Sequence, residues 1–321
     1  MDIETLDKNI TNHLIEHLQQ ETAISTIKDV YNYALFPPGK LFRSKLSWGL
    51  AHDLSSEVDQ SLNSSHAFFA SFLECHHSYT LIHDDLPCMD DDSWRRGKPA
   101  THKAWGEWQA LLAGDGLHGT SYRLLSRINT SRLQKLFQLV TWALGPKGLI
   151  QGQALDLGTK ERKFHTLLRT HELKTGRLIQ LSLIGSFLLI EKFKQPQSKY
   201  RTNLDLAKLG SHIGIVFQLL DDLSEFSQNK ILTSHEKSIN SWIDFDRQSL
   251  SHLQSKIENI INILHKYQLK TVSRIISGYY KNALMLLRDN KDNIEKNLKR
   301  YQIEMDLTPI MLLLKRISYG N

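Results

Sequence analysis

The chain of 321 residues reads as an all-α protein. Apolar side chains recur three and four residues apart along most of its length, which gathers them on one face of a helix. No sustained period-two alternation, no Asn-Gly hairpin and no internal repeat is present. The connections read as short, so the spacing predicts one helical domain over residues 1–321.

Taken in order, Leu6, Ile10, Leu14 and Leu18, then Ile24, Ile27, Val30 and Ala34, carry helical spacing through residues 1–35. Pro37-Pro38-Gly39 breaks that pattern, and Lys40-Leu41-Phe42-Arg43 opens the next helix. A further helix runs from about Ser64 to His83, with Ala67, Phe68, Ala70, Phe72, Leu73, Leu81 and Ile82 as its apolar positions. Ala113-Gly114-Asp115-Gly116 reads as a helix opening. Ser131 is a candidate N-cap for the helix bearing Leu133, Leu136, Phe137 and Val140, which Gly145-Pro146 stops. Leu253, Ile257, Ile260 and Leu264 mark one late helix, and Val272, Ile275, Ile276, Tyr279, Ala283 and Leu287 another. Residues 195–201 read as a polar loop and 227–241 as a longer polar stretch.

Composition excludes several classes. With 40% hydrophobic and 23% charged residues, the balance is that of an ordinary globular protein. No apolar run approaches the ~20 residues of a membrane span. The acidic start, Met1-Asp2-Ile3-Glu4, does not resemble a signal peptide. Two cysteines, Cys75 and Cys88, form neither a disulfide framework nor a zinc spacing, and a cytoplasmic location is expected. The net charge of +6 is dispersed, without a basic run interleaved with aromatics, so anionic small molecules are expected as partners rather than nucleic acid.

The chemistry concentrates in His83-Asp84-Asp85-Leu86-Pro87-Cys88-Met89-Asp90-Asp91-Asp92, followed by Ser93-Trp94-Arg95-Arg96-Gly97. So dense a set of aspartates repels itself unless cations neutralise it. Hard cations such as Mg²⁺ take oxygen ligands, commonly one or two carboxylates plus substrate phosphates. The arginine pair alongside matches phosphate oxygens, so the segment suggests a metal-bridged diphosphate site. On charge count alone a solvated acidic loop is an equal reading. His77, Thr80 and Asp84 shift the balance. They make a polar stripe on an otherwise apolar helix, and buried polar groups need partners or a function.

A second constellation lies in residues 212–226, where Gln218, Asp221, Asp222 and Glu225 share one helical face. Gly210 and Gly214 would let another helix approach closely. If the two acidic helices faced each other across a bundle, they would line a carboxylate cavity for several Mg²⁺ ions. Candidate cations are Lys40 and Arg43, three apart at a helix start, and Lys174 beside the Thr175 hydroxyl in His171-Glu172-Leu173-Lys174-Thr175-Gly176. Gln151-Gly152-Gln153-Ala154-Leu155-Asp156 adds a polar turn.

In this order, over roughly residues 30–226, these pieces resemble the trans-isoprenyl diphosphate synthases, or polyprenyl synthetases. Gly39, Lys40 and Arg43 match the family's Gly-Lys-x-x-Arg. The first aspartate-rich motif takes the bacterial farnesyl diphosphate synthase form, with four residues between Asp85 and Asp90. The His77 helix, Arg-Arg-Gly, Ala-Gly-Asp, Gly-Gln-Ala-x-Asp, Lys-Thr-Gly and Phe-Gln-x-x-Asp-Asp follow at family-like intervals. The resemblance implies an isoprenoid-synthase-type helical bundle around a central cavity, and a homodimer. It implies a prenyltransferase that condenses isopentenyl diphosphate with dimethylallyl or geranyl diphosphate, most simply to farnesyl diphosphate. Asp84, Asp90 and Asp221 would hold about three Mg²⁺ ions. Arg95, Lys174, Thr175 and Gln218 would hold the allylic substrate, and Lys40, Arg43, His77 and Arg96 isopentenyl diphosphate.

This chain also departs from the family. Leu41 stands where a basic residue is usual, Ser44 where proline is, and Glu225 where the second motif ends in aspartate. The following loop is shorter, and Lys237-Ser238-Ile239-Asn240 stands in place of Lys-x-Thr-Tyr-Pro, so residues 227–321 read as a divergent helical part. One extra methylene at Glu225 would shift its oxygens against the octahedral geometry Mg²⁺ demands. A weak or inactive family member, or a partner subunit, is therefore the alternative reading. A metal phosphohydrolase using His52, His83 and Asp84 leaves Arg95, Arg96 and the Asp221 helix unexplained. A terpene cyclase would need Asn and Ser before a Glu, which residues 218–229 do not supply.

Overall fold

In a computed structural model, described over residues 3–22, 26–56, 65–158, 163–194, 198–228 and 231–319, the chain is all-α but for one two-residue ribbon. It forms two compact helical units, residues 1–137 with 185–194, and residues 138–184 with 195–321.

The first unit contains α1 (Ile3–Thr22), α2 (Lys28–Leu35), α3 (Phe42–Leu54), α4 (Ser65–Asp84), a ribbon of β1 (Trp94–Arg95) and β2 (Lys98–Pro99), α5 (Thr101–Trp105) and α6 (Glu107–Ser126). The predicted face of α1 is its buried one, with Leu6, Ile10, Leu14 and Leu18 all in the core. Ile24 lies outside the described residues. Helix α4 is central, flanked by α1, α3 and α6. Burial of Phe69, Phe72 and Leu73 fixes its inner face, at about 1.5–3 kcal/mol for each such side chain. Gly114 and Gly116 sit within α6 rather than at its start, a correction to the expected helix opening. Their role is long-range. A Cβ on Gly114 would lie 2.1 Å from the His83 ring, and one on Gly116 would lie 2.1 Å from the Tyr31 hydroxyl.

The second unit contains α8 (Leu149–Gly158), α9 (Phe164–His171), a π-helical turn (Glu172–Gly176), α11 (Lys199–Ser224), a 3₁₀ turn (Glu225–Ser227), α12 (Ser234–Ile239), α13 (Trp242–Lys266), α14 (Lys270–Asp289), α15 (Lys291–Lys299) and α16 (Thr308–Tyr319). Two helices, α7 (Leu133–Leu144) and α10 (Arg177–Leu189), have residues in both units. Just before α7 the Arg132 N–H donates to the Thr130 hydroxyl at 3.2 Å, and Arg132, whose carbonyl accepts from the Leu136 N–H, stands at the cap position rather than Ser131. The expected loop at 195–201 is shorter than its polarity suggests, because α11 begins at Lys199. Within the polar stretch 227–241, α12 forms on a capping box in which Thr233 and Glu236 satisfy each other's backbone N–H groups.

Gly210 and Gly214 allow the predicted close approach. Cβ atoms there would lie 2.6 Å from Gln180 and 2.4 Å from Gly176. Gly152 does the same on the other side, where a Cβ would fall 2.3 Å from the Lys174 nitrogen. The π turn is thus gripped between two glycine-bearing helices, and such turns often mark functional positions.

Candidate active site

In the first unit the loop after α4 sorts its aspartates. The Asp90 N–H donates to the Asp84 carbonyl oxygen at 2.8 Å, so the loop folds the backbone of Asp90 back onto that of Asp84, six residues earlier. Asp84 is half-buried and Asp90 exposed. Asp85 turns inward and is buried. Its two oxygens lie 2.9 and 3.2 Å from Arg95 Nε, and Arg95 Nη2 also reaches this carboxylate. The same Nη2 donates to Asp92 at 2.6 Å. Burial works against the Arg95 charge, but Asp85, Asp92 and Asp84 outweigh it and hold the guanidinium above its usual pKa. With Asp85 committed to Arg95, the carboxylates of Asp84 and Asp90 suit a hard cation such as Mg²⁺, which takes oxygen ligands.

Arg95-Arg96-Gly97 is a tight hairpin. Trp94 pairs with Pro99 and Arg95 with Lys98, which leaves Arg96 (φ 53) and Gly97 (φ 75) as the two turn residues. Both lie in the left-handed region, as a two-residue turn of this hand requires. The Arg96 guanidinium packs over Gly39, where a Cβ would lie 3.0 Å from Nη2. The Gly-Lys-x-x-Arg sequence therefore meets Arg-Arg-Gly with no side chain between. Lys40 is exposed just before α3, and Arg43 is half-buried in its first turn. Leu41, the helix's N-cap, is left-handed (φ 50) and buried. His77, half-buried on α4, is held well below its usual pKa by burial and then by Arg43 and Arg96, so it is neutral at pH 7.

Beneath these cations lies Glu74, buried at 4% exposure, an acid the sequence reading passed over. Its charge supports that of Arg96. Ser44, in the family's proline position, lies 2.8 Å from Glu74 through its hydroxyl and 3.4 Å through its N–H. Proline could offer neither donor. A lone Glu in an apolar helical run was the signal that could have found this pair.

The second unit holds the other predicted residues. Lys174 projects from the π turn and donates to Asp156 at 2.6 Å. Asp156 is the acid of Gly-Gln-Ala-x-Asp, which sequence reasoning left without a role. Thr175 donates to Gln218 Oε1 at 3.2 Å, and Gln218 Nε2 donates to Asp222 at 2.9 Å. Asp222 is buried and Asp221 beside it exposed. Thr175, Gln218 and Asp222 are in this way joined between the π turn and α11, with Lys174 next to Thr175 on the turn and Asp221 next to Asp222 on the helix. Glu225 accepts from the Asn240 amide at 2.9 Å.

An all-α chain with clustered aspartates beside arginines and lysines carries the side-chain types that bind a diphosphate together with a divalent metal. The polyprenyl synthetase family pattern matches residues 24–239. The farnesyl diphosphate synthase of Bacillus subtilis is 29% identical over 280 residues, covering 84% of this chain and 89% of that protein. The farnesyl diphosphate synthase of Micrococcus luteus is 31% identical over 225 residues, 68% of this chain and 74% of that one. The crystal structure of a geranyltransferase from Legionella pneumophila matches with a TM-score of 0.66 at 26% identity, covering 92% and 98%. The chain belongs to the polyprenyl synthetase family, whose members are Mg²⁺-dependent in general. Among the described residues no helix is long and apolar enough to cross a membrane.

Proposed function

We propose that the protein is a prenyltransferase that condenses isopentenyl diphosphate with dimethylallyl or geranyl diphosphate, with farnesyl diphosphate as its main product. The observation that carries this reading is the sorted loop, in which a backbone hydrogen bond draws Asp90 back to Asp84 while Asp85 is spent on Arg95. The names of the relatives support the same chemistry.

On this reading Asp84, Asp90 and Asp221 hold Mg²⁺, about three ions in all. Bound there, the metal supplies Lewis-acid neutralisation of the charge that grows on the leaving diphosphate. Lys174 and Arg95 add positive charge at that group, while Thr175 and Gln218 orient it by hydrogen bonds. Arg95 acts from within its carboxylate clamp, so its position is set before substrate arrives. Lys40, Arg43 and Arg96 bind the diphosphate of isopentenyl diphosphate. His77, being neutral, contributes an N–H donor rather than a charge. The allylic C–O bond breaks, the isopentenyl double bond forms the new C–C bond, and the departed diphosphate takes the proton. No side-chain nucleophile is required.

The same family pattern runs through both compact units, which supports one polyprenyl synthetase-like domain over 1–321. A second copy of the chain is the partner we infer. On α6, Trp108, Leu111 and Leu112 are 60%, 45% and 49% exposed at i, i+3 and i+4, an apolar stripe suited to a like helix. An exposed unpaired thiol at Cys88 fits a reducing, cytoplasmic compartment. The inactive-partner alternative is not favoured, since the relatives are named as farnesyl diphosphate synthases.

Incubation with Mg²⁺, isopentenyl diphosphate and each allylic diphosphate, followed by chromatography, tests the reading. A fifteen-carbon diphosphate is expected. Absence of any condensation product from folded protein would refute it.

A further inference from the structure

Asn240 and Ser241 stand where the family carries the end of its Lys-x-Thr-Tyr-Pro sequence, Trp242 follows them, and all three are buried. They bind the end of α11 from outside the helix. Asn240 Nδ2 donates to the Asp222 carbonyl oxygen at 2.7 Å and to Glu225 Oε2 at 2.9 Å. Asn240 Oδ1 accepts from the Trp242 N–H at 3.0 Å. A flipped amide would set oxygen against two acceptors, so this orientation is the one the surroundings allow. Ser241 approaches Asp222 Oδ2 with its N–H at 3.3 Å and its hydroxyl at 3.4 Å. The Trp242 indole donates to the Leu219 carbonyl oxygen at 2.7 Å.

From this we propose that Asn240 is a positioning residue for Asp221, and that Glu225 serves as its anchor and not as a metal ligand. The proposal rests on the prenyltransferase reading for what Asp221 does. The last carbonyls of a helix lack intrahelical partners, and helix ends open most readily. Here Asp221 lies between two ties, one at Leu219 and one at Asp222, with its own side chain exposed. A ligand to Mg²⁺ must be held closely, because the ion tolerates little departure from octahedral geometry. The extra methylene of Glu225, a liability for a ligand, gives the reach that meets the Asn240 amide. The substitutions at 225 and 240 thus read as one paired change.

Asn240→Asp and Glu225→Gln separate the possibilities. Asp at 240 sets oxygen against both acceptors, whereas Gln at 225 keeps an oxygen for the Asn240 donor but is a poor Mg²⁺ ligand. Asn240→Asp should raise the Mg²⁺ concentration for half-maximal turnover about tenfold, with the KM for isopentenyl diphosphate within twofold. Mg²⁺-dependent binding of an inert allylic thiodiphosphate, followed by calorimetry, should shift by the same factor. Glu225→Gln should move neither quantity by more than twofold. A tenfold loss of Mg²⁺ affinity in Glu225→Gln with the fold intact would overturn the anchor role. Amide hydrogen exchange over residues 221–226 gives a readout independent of activity. Asn240→Asp should quicken it, and unchanged exchange would refute the proposal even if the wild-type protein proved inactive. Failure of the prenyltransferase reading alone would show as wild-type protein without turnover but with the exchange effect present.

Discussion

Neighbouring aspartates of one loop should fail in opposite ways when removed. Asp85 is a carboxylate with 3% side-chain exposure, forked to Arg95. Removing one partner of a buried ion pair typically costs about 3–5 kcal/mol, because the other charge is left behind. Arg95 is one-third exposed and keeps Asp92 at 2.6 Å, so for Asp85→Ala the cost falls below that range, to about 2–3 kcal/mol. At ~2 °C per kcal/mol for a protein of this size, the melting temperature should fall by roughly 4–6 °C. Asp84→Ala and Asp90→Ala remove a half-buried and an exposed carboxylate and should leave the melting temperature little changed. Their turnover should nevertheless drop by about 10²–10³ or more, since they act on the leaving group. Circular-dichroism melts and steady-state turnover of the three variants provide the assay. An Asp85→Ala protein that melts like wild type, or an Asp84→Ala protein with near-normal turnover, would refute the sorting of the loop.

Other outcomes follow from the same coordinates. The His76 imidazole is pushed down to about 3 by burial and then by the charge of His118, and its neighbours are Phe72 and Tyr79 on α4 and His118, Ser121 and Tyr122 on α6. The unfolded chain therefore takes this proton first, so the stability is complete above about pH 6.5 and is lost as pH falls, at about 1.4 kcal/mol per unit. Urea midpoints should show His76→Phe flattening that acid limb by about one proton, and an unchanged slope would count against it. Trp108→Glu combined with Leu111→Glu should convert a dimer to a monomer in sedimentation, and a wild-type monomer would dismiss the α6 interface.

Much of this was legible because helical period and glycine placement are local signals. Leu6 to Leu18, and Gly210 with Gly214, needed only their own neighbourhood to be read. The glycines of Ala113–Gly116 were misread because their reason lies far off in sequence, at His83 and Tyr31. Thr233 and Glu236 carried a capping-box spacing that polarity hid. Arg96-Gly97 carried a hairpin turn that the arginine motif overshadowed. The sorting of Asp85 from Asp84 could not be read at all, since successive residues leaving a helix end are distinguished only by what awaits them in space. Asn240 was visible only as a departure from the family. Its meaning needed the carbonyl of Asp222 and the carboxylate of Glu225 beside it.

Product length is where local and distant signals meet. Tyr79 lies five residues before Asp84, and at ~1.5 Å per residue its ring falls about 7 Å back along α4 from the metal-binding end. A prenyl tail growing from that end down the helix would meet it. The bland reading is a packed core aromatic, and the ring does pack: its centroid is 4.7 Å from His118, 4.8 Å from His76 and 5.2 Å from His83. Packing and flooring are compatible, because a ring braced on both helices resists a chain pushing from above. Tyr79→Ala should therefore release products of twenty carbons or longer from the same substrates, at the stability cost of a large-to-small core change, about 3 kcal/mol. Should a folded, active Tyr79→Ala enzyme still stop at fifteen carbons, the floor must be sought deeper, at His118 and Tyr122, which stand 5.0 Å apart on α6. Tyr79 would then be bracing alone.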